Sequence, residues 1–335
     1  MPRTVTFRPL YREIVRDALH LAWKEKRLWP FALLAGFIQL GGIYDTLLLR
    51  LRGLAERTTE LANPTLPGLW QQIHQSLFLD KLMAFQGLAL FSLIMIAVCV
   101  LSLVAQGTLV LGIDAHGARV KPTLKELIRE SAHRLIPLLA VNVVGVGAIW
   151  MVGFFTAIPL AQSLVNPSVM NVFAYLSLFT LLVAATVIFT SWHMLALNAL
   201  LLEELTFAEA FTHAWRMLKH AWLTVFETAI LLVATSMALY LVILLIALLI
   251  NIPAFLLLTA SVLLAVPKAY FFLRILISAT FLILLAVAGL YTITFQYATW
   301  NCLYERIAEG TAHAKLHRFA HWVNGHLNST KKARS

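Results

Sequence analysis

The chain has 335 residues, of which 60% are hydrophobic and only 13% charged, and it carries a formal net charge of +10. A soluble domain has no interior large enough to hide that apolar fraction, so a freely soluble enzyme or binding module is excluded. Nor does the positive charge mark a nucleic-acid binder: Lys and Arg are spread over the polar segments between apolar runs, where membrane topology accounts for them.

Residues 1–27 hold Arg3, Arg8, Arg12, Arg16, Lys24, Lys26 and Arg27, and Leu10, Ile14, Ala18 and Leu21 recur among them at helical spacing. The pattern predicts an amphipathic helix and is too charged for the apolar core of a cleavable signal peptide. The helix runs into AWKEKRLWP, where Trp23 and Trp29 bracket a basic cluster. Both are expected to anchor at the headgroup level, where an apolar ring with one polar N–H is at home. A first span is expected at about 28–49. A charge-balanced loop follows over 50–81, with turn signals at Asn63-Pro64 and Pro67-Gly68 and a short surface helix at 69–79 carrying Trp70.

The second span is expected at about 83–112. In the next charged segment, 114–134, Pro122-Thr123 followed by Glu126 begins a capping box, and Leu124, Leu127, Ile128 and Leu135 supply an apolar stripe. The third span, about 136–161, contains Gly145, Gly147 and Gly153, small residues that permit close helix approach in lipid. A turn at Asn166-Pro167 leads to a fourth span at about 171–202.

The stretch 201–232, LLEELTFAEAFTHAWRMLKHAWLTVFETAILL, shows the plan most clearly. Thr206 and Glu209 fit a capping box, and Glu203, Glu204 and Glu209 put negative charge near the positive end of a helix dipole. Phe207, Phe211, Ala214, Leu218 and Trp222 form one face; Glu209, His213, Arg216 and His220 form another. Such a helix lies in the membrane interface or packs on a partner. Trp215 and Trp222 are its expected interfacial anchors. The fifth span is expected at about 226–250. Residues 252–266 contain Pro253 and are read as a re-entrant or interfacial element, and a sixth span is expected at about 271–302.

The fold expectation is therefore all-α: a polytopic bundle of about six transmembrane helices. They group into three units of amphipathic helix plus hairpin, at about 8–113, 122–202 and 205–302. One membrane domain covers 1–304, and a basic tail covers 305–335. Twenty of the 26 Lys and Arg fall on one side of this arrangement, which places both termini in the cytoplasm.

Glu227, near the start of the fifth span, and His193 and Asn198, within the fourth, are the candidate intramembrane polar site, because ionisable groups in a span are functional candidates by default. Gln39, Gln86, Gln106, Asn142 and Gln296 either line a polar interior or join helices. His313, His317 and His321 repeat every four residues, but no carboxylate joins the stripe, so no metal site is assigned. Cys99 and Cys302 show neither disulfide nor CxxC spacing. No G-x-S-x-G, HExxH, P-loop or paired-carboxylate motif supports an enzyme, and no cofactor is expected.

The segments LHLAWKEKRLWPFALLAGF, GARVKPTLKELI and LTFAEAFTHAWRMLKHAW together resemble uncharacterised bacterial multi-span membrane proteins. They are also similar in pattern to the membrane domain attached to some glycerophosphodiester phosphodiesterases and to YciC-like inner-membrane proteins. The resemblance covers most of the chain and implies a helical bundle in a bacterial cytoplasmic membrane. It carries over no catalytic residue, because phosphodiesterase chemistry belongs to a separate soluble domain. The expected role is non-enzymatic: organising or assembling with other components at the membrane, with anionic lipid headgroups and a membrane or cytoplasmic protein as the expected partners. Transport of a small solute or lipid is the alternative.

Overall fold

A computed structural model describes residues 10–39, 81–117, 122–165, 168–264 and 266–310, and every element among them is helical. In chain order these are α1 (Leu10–Lys24), α2 (Trp29–Gln39), α3 (Lys81–Asp114), α4 (Leu124–His133), α5 (Leu135–Val165), α6 (Val169–Leu202), α7 (Phe207–His220), α8 (Trp222–Leu263) and α9 (Pro267–Ala308). Single 3-10 turns join α1 to α2 and follow α3.

Among the described residues five helices are long and apolar enough to cross a membrane: α3, α5, α6, α8 and α9. Of the first expected span only the 11 residues of α2 are described. The loop at 50–80 and its surface helix lie outside the described residues.

The amphipathic helices form where their caps and stripes predict. Thr123 accepts the Glu126 amide at 3.3 Å, and the Glu126 carboxylate accepts the Thr123 amide at 2.8 Å. At the start of α7 the Glu209 carboxylate takes both the Thr206 hydroxyl, at 2.7 Å, and its amide, at 3.0 Å. These bonds hold Glu126 and Glu209 below the usual carboxylate range. The Thr123 amide dominates for the first, and the Thr206 hydroxyl for the second. The stripe on α1 is buried at Ile14, Ala18, Leu21 and Ala22. On α7 the buried face is Ala210, Phe211, Ala214, Met217 and Leu218. Trp222, expected on that face, instead opens α8 and is exposed.

The packing order follows a rule. Each amphipathic helix docks on a long helix outside its own hairpin: α4 on α3, α7 on α6, and α1 on α9. Within the hairpins α2 packs on α3, α5 on α6 and α8 on α9; the helices α3, α6 and α9 also meet one another. The docking contacts differ in chemistry. Tyr291 of α9 donates to the Leu19 carbonyl of α1 at 3.3 Å. Thr108 of α3 and Ser131 of α4 bond at 3.3 Å, over Gly107, where an added Cβ would come within 2.9 Å of the Ser131 hydroxyl. Trp192 of α6 donates to the Phe211 carbonyl of α7 at 3.1 Å, with its ring edge-on to Phe211 and Trp215.

Two sequence readings change here. Residues 252–263 are not re-entrant: they continue α8, which runs unbroken through Pro253 for 42 residues. Proline removes an amide and crowds the preceding turn, but in a membrane helix a neighbouring helix and local side chains absorb that cost. Here α9 runs alongside. Secondly, of the three glycines expected to allow close approach, only Gly145 does so. Gly147 and Gly153 face open space.

All these contacts concentrate at one end of the bundle. The buried core comprises the last turns of α3, α6 and α9, the first turns of α2, α5 and α8, and the inner faces of α1 and α7. Beyond it the helices expose apolar side chains nearly all round. The most apolar 18-residue stretch of α6 contains no buried residue. In lipid such surface needs no protein cover, because the acyl chains are as apolar as leucine.

Candidate functional site

The core end holds the polar groups. Gln106 of α3 stands at its centre. Its amide donates to the Tyr297 hydroxyl of α9 at 3.0 Å, and its carbonyl accepts from Asn142 of α5 at 2.7 Å. All three side chains are buried. Asn142 also donates to the Leu138 carbonyl, so its amide is fully used while its own Oδ1 has no partner. One turn along α9, Asn301 donates to the Val110 carbonyl at 3.3 Å. The node thus pins α3, α5 and α9 together, and its bonds join buried groups, where a lost partner is costly.

His193 enters the same region from α6. Its ring presses on Gly145, where an added Cβ would fall 2.0 Å from Nδ1. Both ring nitrogens lack a hydrogen-bond partner of good geometry, although the Val141 carbonyl faces the ring. Asn198 is buried as well, but its amide donates to Met194 on its own helix at 2.8 Å, and its Oδ1 is unpartnered. Glu227 is half-buried on α8, five residues past the exposed Trp222. The three residues expected to form one intramembrane site are therefore all near the core end, but no hydrogen bond joins His193 or Asn198 to Glu227. What the fold brings together is Gln106, Asn142 and Tyr297, with His193 against the same helix as Asn142.

A second polar layer closes this end. Arg134, at the α4–α5 junction, donates to the Leu200 and Leu201 carbonyls at 2.9 and 3.3 Å and pairs with Glu204 at 2.6 Å. It thereby caps the negative end of α6. Glu204 has φ +57, a left-handed conformation that costs a non-glycine residue roughly 1–2 kcal/mol. The Arg134 contact holds it there. Tyr304 donates to Glu203 at 2.5 Å, and His213 Nε2 lies 3.8 Å from the same carboxylate, so α9, α6 and α7 share one acid. Glu25 is buried between Arg27, at 2.7 Å, and His116, at 2.8 Å, and ties the α1–α2 turn to the end of α3.

Sequence reasoning passed over Glu25, His116, Tyr297 and Tyr304, and read Arg134 and Glu203 only as charges in polar segments. Glu25 reads as one acid inside a basic cluster, and nothing local signals its burial. Tyr297 and Asn301 did carry a signal: with Thr294 they make an i, i+3/i+4 polar stripe on an otherwise apolar helix.

The expected interfacial tryptophans divide into two kinds. Trp29 donates its indole N–H to the Ala22 carbonyl at 2.9 Å, inside the fold. Trp23, Trp215 and Trp222 are 58%, 42% and 62% exposed. The cysteines are free. Among the described residues no three His, Cys, Asp or Glu side chains lie close enough to hold a metal ion, and the stripe of His313, His317 and His321 falls outside those residues.

No protein-family model, curated protein or solved structure matches this chain. Its function is therefore argued from its own geometry.

Proposed function

We propose that the chain is a polytopic protein of a bacterial cytoplasmic membrane, with six spans in three interlocking units and both termini in the cytoplasm, and that its role is non-enzymatic assembly with another membrane component. The cyclic docking of α4 on α3, α7 on α6 and α1 on α9 supports the three units. The bias of Lys and Arg supports the orientation. The expected partners are anionic lipid headgroups on the basic face and a protein along the spans.

One observation carries the assembly role. The helices α8 and α9 each run 42 residues, about 63 Å at 1.5 Å per residue, against about 30 Å of hydrocarbon and about 45 Å with headgroups. To fit even the larger figure the hairpin must tilt by about 45°, beyond the 0–40° seen for spans. Beside Lys268 and Arg274 its tip nonetheless exposes large apolar side chains: Leu263, Leu264, Phe271 and Phe272 are 63–80% exposed. Apolar surface that a bilayer does not cover marks an interaction site.

Native mass spectrometry after gentle detergent extraction tests this. A stoichiometric second protein is the expected result; a lone chain, or a homo-oligomer retaining a solute, contradicts it.

A second reading, transport of a small solute or lipid, is favoured by the unpartnered buried atoms of Asn142, Asn198 and His193. Buried polar groups without partners are uncommon and often functional. Solute movement by the purified protein in liposomes, lost in Glu227→Gln or His193→Ala, would establish it in place of the first.

A further inference from the structure

The three corners where an amphipathic helix meets the hairpin after it are not alike. At the first, Lys26 Nζ sits 4.6 Å from the ring centre of Trp23. At the third, Lys219 Nζ sits 5.2 Å from the ring centre of Trp215. The lysine follows its tryptophan by three residues in one case and four in the other, so each lies on the same helical side as the ring. In both corners a second tryptophan, Trp29 or Trp222, begins the next helix. These cations are exposed, together with Lys24 at the first corner and Arg216 at the third. No carboxylate among the described residues pairs with any of the four.

The neighbouring groups are committed elsewhere. Arg27 is held by Glu25. At the middle corner Arg134 is held by Glu130, Glu204 and two carbonyls, and no tryptophan stands beside it. The indoles divide the same way. Trp29 and Trp192 donate their N–H to the Ala22 and Phe211 carbonyls, whereas those of Trp23 and Trp215 have no acceptor among the described residues. Each of the two open corners therefore offers an ammonium over a ring, with an indole N–H and a second cation that have no partner among the described residues, at the start of a helix that enters the apolar layer.

We propose that these corners are two discrete binding sites for the phosphate of anionic glycerophospholipids, one at Trp23 and Lys26, the other at Trp215 and Lys219. Charge complementarity selects the ligand. A phosphodiester carries one negative charge and several acceptor oxygens, which suit the ammonium and the indole N–H, while the lipid's acyl chains lie along α2 or α8. A zwitterionic headgroup brings its own cation and gains less from a second unpaired one. The inference rests on the membrane reading above and deepens its lipid partner.

The test titrates the purified full-length chain in mild detergent with palmitoyl-oleoyl phosphatidylglycerol or phosphatidylcholine, and counts bound lipids by native mass spectrometry. Each lysine near an anionic headgroup is worth about a fivefold change in affinity. Two phosphatidylglycerol molecules are expected to bind at least about fivefold more tightly than phosphatidylcholine, by the same reckoning. Lys26→Gln and Lys219→Gln are each expected to weaken one step, and the pair both steps; Lys26→Arg restores the first. Trp215→Phe, which keeps the ring and removes the N–H, weakens the second step less. All these side chains are exposed, and an unchanged melting temperature confirms that the variants fold.

Equal binding of the two lipids overturns the proposal. So does wild-type phosphatidylglycerol preference in the Lys26→Gln, Lys219→Gln pair combined with its loss in Lys331→Gln, Lys332→Gln, which would move the preference to the basic tail. Either failure leaves the protein-partner measurement untouched, so the two readings fail separately.

Discussion

Within α6 the chain passes from one environment to another. From Val169 to about residue 190 the helix is exposed almost all round, with Val169 at 89% and Phe173 at 67%. From Ser191 to Leu201 nearly every side chain is buried, and Leu195 and Leu197 are fully so. Both halves are apolar. The exposed half also holds small and polar residues, Ala174, Ser177, Thr180, Ala184 and Ala185, so what separates the two is the amphipathic helix α7 docked on the second half, with Trp192 bonded to its backbone. Hydropathy thus locates a span, while the docked amphipathic helix marks where protein packs on it.

Truncation should break this symmetry most strongly. Leu195→Ala, at the core end, is expected to cost about 2–5 kcal/mol. Leu176→Ala, on the exposed half of the same helix, is expected to change stability by under about 0.5 kcal/mol. Unfolding of the purified protein in a denaturing detergent measures both, and equal losses would contradict a core confined to one end.

Gly145→Ala comes next. The new Cβ meets the His193 ring at 2.0 Å from Nδ1, and overpacking of this kind costs about 1–3 kcal/mol. Combining it with His193→Ala should recover part of that loss, since residues in contact are not additive. Gly153→Ala, in open space, should be silent in the same assay.

Arg134→Gln removes the α6 cap and the contact that holds Glu204 left-handed; a loss of about 1–3 kcal/mol is expected. In the buried node, Asn142→Leu leaves the Gln106 carbonyl without its donor and is expected to cost about 0.6–2 kcal/mol, the range for hydrogen bonds between membrane helices. The smallest effect belongs to the caps. The folded values of Glu126 and Glu209 lie below their ordinary value of 4.5, so their contribution is complete at neutral pH and is lost as the pH falls below that value and through the lowered one. Hydrogen exchange in the first turns of α4 and α7 should therefore accelerate only in acid, and Glu209→Gln should remove that dependence for α7.

This contrast also explains what the sequence made legible. Spans and caps were readable because each depends on local composition: an apolar run, or Thr and Glu three residues apart. The inner faces of α1 and α7 were readable because an amphipathic stripe reports one buried side. The close approach at Gly145 was read together with Gly147 and Gly153, because the three look the same in a lipid-facing helix and only the position of His193 distinguishes the one that packs. The continuation of α8 through Pro253 was missed for a related reason. A rule of about 20 residues per span divides a long apolar run, while the helix α9 beside it sets the actual length. His193, Asn198 and Glu227 were each found as polar residues in apolar runs, but the fold does not join them: Asn198 bonds within its own helix and His193 packs on Gly145, while Tyr297 was legible only in its spacing from Thr294 and Asn301.

The 42-residue helices of the α8–α9 hairpin test the central claim most directly. A photocrosslinking phenylalanine analogue placed at Phe255 or Phe271, both about two-thirds exposed, should be activated in the native membrane, with the same analogue at Phe173 for comparison. Assembly with another component predicts a discrete protein adduct from the hairpin positions, stronger than at Phe173. Lipid adducts alone at all three positions would contradict it.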